Sequence, residues 1–449
     1  MNRLMYPALA LMVTSLLSGS LMAGEAEEAA TKKFLDAQTG VNESVLGTQE
    51  LSVRMLQHDV GKISLTIEKG EYEGQPCYVL TTKGKISLGG TTELSGVSHI
   101  APDLTLLHGE ETENEDGELT KHELYTVKDG VLTAEFKQPK EDDETKREQT
   151  FKITQKTGLL MGSAELLVTL LLPRDADVTY EFIRWSSTVD KTYPLQIEAK
   201  GKATYGDKPA FRFVEHDKKF SEDELGNETS IDADNTFLFD AEASHKLLFM
   251  DSSDGFTLET GEPAKRTPIT REMIEKQDNE KYVAAGFFLA AGEKDEALLK
   301  ELLNEYQFVR DSLDSNPMTE NASDEEKDAI AEMYKDTVVE NILNSGGEEE
   351  KTEQEQAREK ALTKLLLSAE NFISEEKAGK QTVRFTDEAA KMFGKLLFIL
   401  AKSEDGKWEI TGIEPIADED DAKDEDGEEK DNDEGEGKKD DGSAEEDGF

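Results

Sequence analysis

The feature that most constrains the fold is an alternation of apolar and polar residues from about residue 44 to residue 262. In the segment "GKISLTIEKG", single polar residues separate Ile63, Leu65 and Ile67. A period of two is that of a β-strand with one buried face. Similar segments follow as far as "GFTLET", separated by turns rich in Gly, Asp and Asn. Residues 44–262 are therefore predicted to form an antiparallel sheet with one apolar face.

One segment interrupts this alternation. "MGSAELLVTLLLP" is continuously apolar over most of its length, with Ser163 before the apolar run and Pro173 after it. Serine is a favoured N-cap, and proline cannot continue a helix. The segment is predicted to be one short buried helix.

The period changes beyond a linker at residues 263–277, which contains Pro268. In "KYVAAGFFLAAGEKDEALLKELL", Val283, Ala284 and Phe287 recur at helical spacing. Further helical segments follow, and then two hairpins centred near residues 378–379 and 405–406. Helices followed by an antiparallel sheet predict a smaller α+β domain at residues 278–416.

One of these helices has a clear start. "SDEEKDAIAEMYKDTVVENILNSGG" opens with a capping box formed by Ser323 and Glu326. It is predicted to run as far as Gly346 with one apolar stripe that includes Met333 and Tyr334.

The N-terminus predicts export. "MNRLMYPALALMVTSLLSGSLMA" has one arginine, an apolar run and then small residues, the pattern of a secretory signal peptide. Cleavage after Ala23 is favoured, with cleavage after Ala26 and an uncleaved anchor as alternatives. The apolar run is too short for a comfortable membrane span. The mature protein is thus predicted to be periplasmic or extracellular, of bacterial type and not integral to the membrane, with residues 24–43 as a flexible lead-in or short helix.

The charge of the chain restricts its partners. There are 99 acidic and 51 basic residues, a formal net charge of -48. Such a surface repels phosphate backbones, so nucleic-acid binding is excluded. Residues 417–449 hold 18 acidic and 4 basic residues and almost no apolar ones. They are predicted to be a disordered acidic tail, with divalent cations or a basic protein as candidate partners.

A calcium loop is the one metal site that the sequence suggests. Counting from Thr112, Asn114, Asp116 and Glu123 fall at ligand positions of an EF-hand. Position 1 lacks a carboxylate, the flanks alternate like strands, and Asp116-Gly117 is a hairpin signal. A hairpin is therefore favoured, with a low-affinity Ca²⁺ contact through Asn114, Asp116 and Glu123 as the alternative; no other cofactor is predicted.

Catalytic signatures are missing from the sequence. It has no G-x-S-x-G elbow, P-loop or dinucleotide fingerprint, and its six histidines show no paired i, i+4 spacing. Cys77 is the single cysteine, which excludes an intrachain disulfide and predicts a small buried side chain. Trp185 and Trp408 are predicted to lie in strands, and Trp408 is interpreted as a core anchor rather than a ligand platform. A non-enzymatic protein is favoured, and an enzyme with a pocket in the C-terminal domain stays open.

Two resemblances sharpen the fold prediction. The stretches "LTIEKGEYEGQPCYVLTTKG", "SAELLVTLLL", "LQIEAKGKATYGDKPAFRF" and "TFLFDAEASHKLLFMDSSDGFTLE" resemble the uncharacterised exported bacterial Lol-like family. That resemblance implies an open β half-barrel at residues 44–262, as in lipoprotein carriers. "VAAGFFLAAGEKDEALLKELL" and "KSEDGKWEITGIEP" resemble the nuclear-transport-factor-like α+β cone, from which the long acidic helix near 350–370 departs. Neither family implies a site residue.

An open half-barrel offers a concave apolar groove in which a lipid or another hydrophobic molecule can bind. Ile63, Leu65, Ile67, Phe211 and Phe213 are the candidate ligand-facing residues. The sequence leaves open whether their face is groove or core. An envelope protein that uses its acidic surface and tail to bind cations or a basic partner is the alternative function.

Overall fold

The computed structural model of the chain describes thirteen stretches, residues 25–138, 147–154, 158–160, 164–186, 191–222, 228–242, 246–263, 265–314, 316, 319, 321–344, 352–377 and 379–416. The predicted signal peptide (1–23) and acidic tail (417–449) lie outside the described residues. Of the helices within those stretches, none is long and apolar enough to cross a membrane.

The described residues contain one large sheet. Its strands are β1 (Gly47–Met55), β2 (His58–Tyr72), β3 (Gln75–Ser87), β4 (Thr91–Ile100), β5 (Leu106–Glu115), β6 (Glu118–Lys128), β7 (Val131–Gln138), β8 (Arg147–Thr154), β9 (Leu159–Leu160), β10 (Val178–Ser186), β11 (Lys191–Tyr205), β12 (Lys208–Glu222), β13 (Glu228–Asp240), β14 (Leu247–Asp251) and β15 (Phe256–Glu259). The spatial order is β8-β7-β6-β5-β4-β3-β2-β1-β15-β14-β13-β12-β11-β10-β9. Two meanders are thus joined where β1 pairs with β15. Neighbours are antiparallel except for the short parallel pair β9–β10.

The sheet curls until its two ends meet. Phe151 of β8 and Trp185 of β10 have ring centroids 5.0 Å apart, and Phe136 of β7 lies 5.8 Å from Trp185. These strands are far apart in the order of the sheet, so the contact is made by side chains. The predicted curled antiparallel sheet is confirmed, and aromatic rings pack across the seam where its two ends meet.

Two helices cover parts of this sheet. The predicted buried helix is present as α2 (Ala164–Leu171), which buries Leu167, Val168 and Leu170. A second helix, α1 (Glu25–Asp36), occupies the segment for which the sequence allowed either a flexible lead-in or a short helix. Its Phe34 packs edge-on against Tyr180 at 5.9 Å. These helices fill space that an empty groove would leave open.

A helical region with a second sheet follows. The helices are α3 (Arg271–Lys276), α4 (Glu280–Glu293), α5 (Glu296–Leu302), α6 (Glu305–Asp314), α7 (Asp324–Tyr334), α8 (Val338–Asn344), α9 (Glu353–Leu366) and α10 (Asp387–Phe393). The strands β16 (Phe372–Lys377), β17 (Lys380–Phe385), β18 (Leu396–Lys402) and β19 (Trp408–Pro415) lie side by side in chain order. Helices first and an antiparallel sheet afterwards is the predicted order, with α10 inserted between β17 and β18.

One helix differs from its prediction. The capping box of Ser323 and Glu326 is present, but α7 ends at Tyr334, a short 3-10 turn follows, and α8 begins at Val338. Met333 is 70% exposed and Tyr334 52% exposed. The single apolar stripe is therefore wrong. Within α7 the buried residues are Lys327 and Ala331, and the turn then changes the helical phase before α8.

The helical region packs directly on the large sheet. Leu362 of α9 belongs to the core of that sheet, and Arg358 Nη2 lies 3.4 Å from Glu115 Oε1 on β5. Gly89 has a φ of +76°, and a Cβ there would come within 2.3 Å of the Arg358 backbone. Lys391 of α10 also binds Asp251 of β14 at 2.9 Å. The two sheets are thus bridged by packing and by ion pairs.

Candidate functional site

The apolar part of the inner face contains the five predicted ligand-facing residues. Ile63, Leu65, Ile67 and Phe213 are buried in the main core, and Phe211 is partly buried against it. In this conformation the five side chains contact the protein's own apolar groups. A ligand that reached them would have to displace those groups, and their role as ligand-facing residues stays a prediction.

A cationic rim lies next to these residues. Arg174 follows α2, and its guanidinium carbon lies 4.9 Å from the ring centre of Phe239, 5.0 Å from that of Phe213 and 5.9 Å from that of Phe211. Its Nη2 donates a hydrogen bond to the Leu170 carbonyl at 3.1 Å. Burial lowers the pKa of Arg174 to about 10. Arg174 and Phe211 are both partly exposed, although Arg174 Nε and Nη1 are themselves buried, so this charged and aromatic group lies at the edge of the core.

Further along the same inner face, charged side chains are buried together. Arg184 of β10 is 5% exposed, and its Nη1 lies 3.0 Å from Glu165 Oε2 and 2.7 Å from Asp217 Oδ2. The Tyr193 hydroxyl donates to Asp217 Oδ1 at 3.1 Å. With Glu215, these residues form what we call the Arg184 cluster: Glu165, Arg184, Tyr193, Glu215 and Asp217.

Acidic groups outnumber the one arginine of the Arg184 cluster. Glu215 is fully buried, and its Oε1 accepts a hydrogen bond from Asn235 at 2.7 Å. Burial and the neighbouring Glu165 raise the pKa of Glu215 well above its ordinary value. Glu215 Oε2 is buried and has no hydrogen-bond partner among the described residues, so burial and the nearby Glu165 favour the protonated form of Glu215. Burial also raises the pKa of Asp217 to about 6, although Arg184 opposes the shift.

A second buried carboxylate lies on β6. Glu123 is fully buried; the Tyr125 hydroxyl donates to its Oε2 at 2.7 Å, and Lys121 Nζ lies 2.5 Å from its Oε1. Burial, together with Glu123, raises the pKa of Tyr125 well above its ordinary value. Arg184 also acts on this tyrosine electrostatically, which places Glu123 and Tyr125 near the Arg184 cluster. Perturbed groups that gather in one place are typical of functional sites.

The weak calcium candidates do not come together. Asp116, at φ 50°, and Gly117, at φ 91°, form the two-residue turn of the β5–β6 hairpin. Asp116 Oδ1 accepts a hydrogen bond from the Thr91 amide at 2.7 Å. Asn114 pairs with Leu119, whereas Glu123 lies four residues further along β6, about 13 Å away. Within the described stretches no three His, Cys, Asp or Glu side chains could hold a metal ion together.

Sequence reasoning missed the Arg184 cluster, although a signal was present. The buried face of β10 contains every second residue, first the aromatic Tyr180 and Phe182 and then the charged Arg184. On β12 the same phase leads from Phe213 to Glu215 and Asp217. A charged residue in phase with buried apolar ones marks a buried ionic site.

The single cysteine and the two tryptophans of the sequence are packing residues. Cys77 is buried, and burial raises the pKa of its thiol, so it is not poised as a nucleophile. Trp185 is buried at the seam of the sheet. Trp408 is partly buried against the second core, with Lys402 Nζ 4.9 Å from its ring centre.

Comparison with known proteins identifies no family. No protein-family model matches the chain, and no curated protein matches it. Among solved structures it is similar to the beta-barrel-like protein of a domain of unknown function, DUF1849, from Brucella abortus. The TM-score is 0.31 and the identity 10%, over 47% of this chain and 92% of that chain. The likeness of residues 278–416 to the nuclear-transport-factor-like cone stays a prediction.

Proposed function

We propose that this chain is a non-enzymatic binding protein for a hydrophobic molecule that carries an anionic group, and that the half-barrel is its binding site. The supporting observation is the position of Arg174 beside Phe211, Phe213 and Phe239. Two of these rings belong to the predicted ligand-facing set. The site joins a largely buried cation to aromatic rings at the partly exposed edge of the core.

The chemistry of this rim selects the ligand class. A guanidinium in a partly desolvated site binds carboxylates and phosphates more strongly than one in water, because the low dielectric strengthens charge-assisted hydrogen bonds. Aromatic rings beside it offer an apolar surface for an acyl chain or an aromatic body. An acyl chain that ends in a carboxylate or a phosphate satisfies both parts of the rim.

Binding is expected to depend on both parts of the rim. The apolar sulfonate 8-anilinonaphthalene-1-sulfonate should bind the purified protein with an increase in fluorescence. Arg174→Gln removes the charge and should weaken its affinity about tenfold, while the affinity for the neutral dye Nile red should change little. Phe211→Ala should weaken the binding of both dyes. Fluorescence titration measures each affinity.

Matched variants on the outer face serve as controls. Arg212 is the exposed neighbour of Phe211, and Phe249 stacks on Tyr205 outside the core cluster. Arg212→Gln and Phe249→Ala should leave both affinities unchanged. Acidic lipids in organic extracts of the purified protein, detected by mass spectrometry, would identify a natural ligand. If neither dye binds at the rim and the extracts repeatedly contain no lipid, the proposal fails.

We infer further that the protein is exported, because residues 1–23 have the composition of a signal peptide. When the full-length chain is expressed in a bacterium, mature protein is expected in the periplasm or medium with a mass corresponding to an N-terminus at Gly24. Replacing Leu11 and Leu16 by Arg interrupts the apolar run and should retain the full-length mass in the cytoplasm. Intact-mass measurement of fractionated cells tests this; an uncleaved cytoplasmic product of the parent chain would contradict it.

A further inference from the structure

A group of three rings lies on the outer face of the large sheet. Ser98 and Ile100 are buried on the inner face, so the alternation of β4 directs His99 outward. His99 is the cross-strand partner of His108 on β5, and their ring centroids are 5.8 Å apart. Tyr72 of β2 is stacked on His108 at 5.3 Å and lies 5.0 Å from His99. We call His99 and His108 the histidine pair.

Both rings of the histidine pair have an unsatisfied nitrogen. The Nδ1 atoms of His99 and His108 are buried, and neither has a hydrogen-bond partner among the described residues. Buried polar atoms in native proteins are nearly always satisfied, and an exception calls for an ion, a water or a functional role. Here two exceptions lie on directly paired residues, so one bound species can account for both.

The spacing of the two rings fits a shared metal ion. Because a Zn–N bond is about 2.0–2.1 Å, an ion lies about 3.2 Å from the centre of each imidazole, and two rings on one ion have centres roughly 5–6 Å apart. The observed 5.8 Å falls in this range.

We propose that the histidine pair binds a divalent first-row transition-metal ion of the Zn²⁺, Cu²⁺ or Ni²⁺ class. Imidazole nitrogens prefer these ions to Ca²⁺ or Mg²⁺. The pair supplies two ligands, and water completes the coordination. The formal net charge of -48 raises the local concentration of any cation. Histidine spacing of i, i+4 did not predict this pair, because the two residues meet across neighbouring strands.

Metal titration of the full-length protein tests the proposal. Protein stripped with a chelator is titrated with Cu²⁺ or Zn²⁺ by calorimetry in an excess of Mg²⁺, which occupies the oxygen-rich sites of the acidic surface. One ion per chain is expected, with a dissociation constant on the order of micromolar. His99→Asn and His108→Asn should each weaken this binding at least tenfold. Binding should also weaken as the pH is lowered, because protons compete with the metal ion for the imidazole nitrogens.

A matched histidine provides the control. His216 on β12 is also partly exposed and lies 3.0 Å from Asp234, so His216→Asn changes a histidine without touching the pair. It should bind the ion as the parent does. Cu²⁺ should quench Tyr72 only when both histidines are present, and its electron paramagnetic resonance spectrum should show nitrogen ligands. Circular dichroism verifies that each variant folds.

Two outcomes would overturn the metal site. One is that both asparagine variants bind Cu²⁺ and Zn²⁺ as tightly as the parent. The other is that the folded parent binds neither ion under Mg²⁺ competition. The histidine pair lies on the face opposite the half-barrel interior, so either result leaves the proposed ligand binding at Arg174 untouched.

Discussion

Replacing Arg184 by methionine is expected to lower the free energy of unfolding by about 3–5 kcal/mol, because it leaves buried carboxylates without their counter-charge. Arg184 contacts Glu165 and Asp217 at 3.0 and 2.7 Å in a site from which water is excluded. Methionine fills much of the volume and has no charge. Urea unfolding at pH 7.5, followed by tryptophan fluorescence, measures the loss; Trp185 is the next residue along β10.

Two variants separate charge from packing in this experiment. Arg212 on β12 is exposed, and Arg212→Met should change stability by no more than about 0.5 kcal/mol. Combining Arg184→Met with Glu165→Gln and Asp217→Asn removes the stranded charges and should recover most of the lost stability. If Arg184→Met is as stable as the parent, the carboxyl groups of the cluster are neutral without it and the ionic description is wrong.

The alternation of residues predicted the large sheet well, because strands with one buried face leave a direct trace in sequence. Ile63, Leu65 and Ile67 are all on the buried face, and the predicted helix between Ser163 and Pro173 is α2. The expectation of a uniformly apolar inner face is wrong at the Arg184 cluster. A buried charged residue in a strand is of the same residue type as a solvent-facing one, and only its position in the alternation of the strand distinguishes the two.

Local sequence patterns did not predict contacts between residues that lie far apart in the chain. Asp217 lies near Arg184 because β10, β11 and β12 lie side by side, and Glu165 contacts Arg184 from helix α2. No local pattern reveals either contact. The contact of Gly89 with the backbone at Arg358 joins two segments far apart in the chain. Met333 and Tyr334 were predicted wrongly for a local reason, since α7 buries the face that contains Lys327 and Ala331.

Helix α2 connects the two charged parts of the inner face. Glu165 in its first turn binds Arg184, and Arg174 just beyond its end lies over the phenylalanine rings. The helix buries Leu167 and Val168 between these points. It is thus held by an ion pair at its start and by apolar packing along its length, so the stability of the Arg184 cluster also fixes the position of the Arg174 rim.

The raised pKa of the buried Glu215 predicts an unusual dependence of stability on pH. Glu215→Gln replaces a carboxyl that burial keeps protonated by an amide of the same shape, whose oxygen can still accept from Asn235. The variant is expected to be more stable than the parent at pH 8 by about 1–3 kcal/mol, the usual cost of an uncompensated buried polar group. The difference should shrink towards zero at pH 4, where the parent carries the proton at no cost.

The direction of this pH dependence follows from the linkage between proton binding and folding. An acid whose pKa is raised by folding binds its proton more tightly in the folded state, so its contribution to stability is complete below the unfolded pKa and is lost as pH rises through the folded pKa. For Asp217 that window runs from about pH 4 to about pH 6, and the raised pKa of Glu215 extends the loss to higher pH. Urea unfolding at half-unit steps from pH 4 to pH 8 measures this change in stability, and the difference between variant and parent at each pH removes the general effect of the net charge.

Glu198 is the matched control, because its hydrogen bond with Lys200 lowers its pKa, so Glu198→Gln should give no gain in stability at pH 8. A Glu215→Gln variant that is less stable than the parent at pH 8 would show that Glu215 is ionised there.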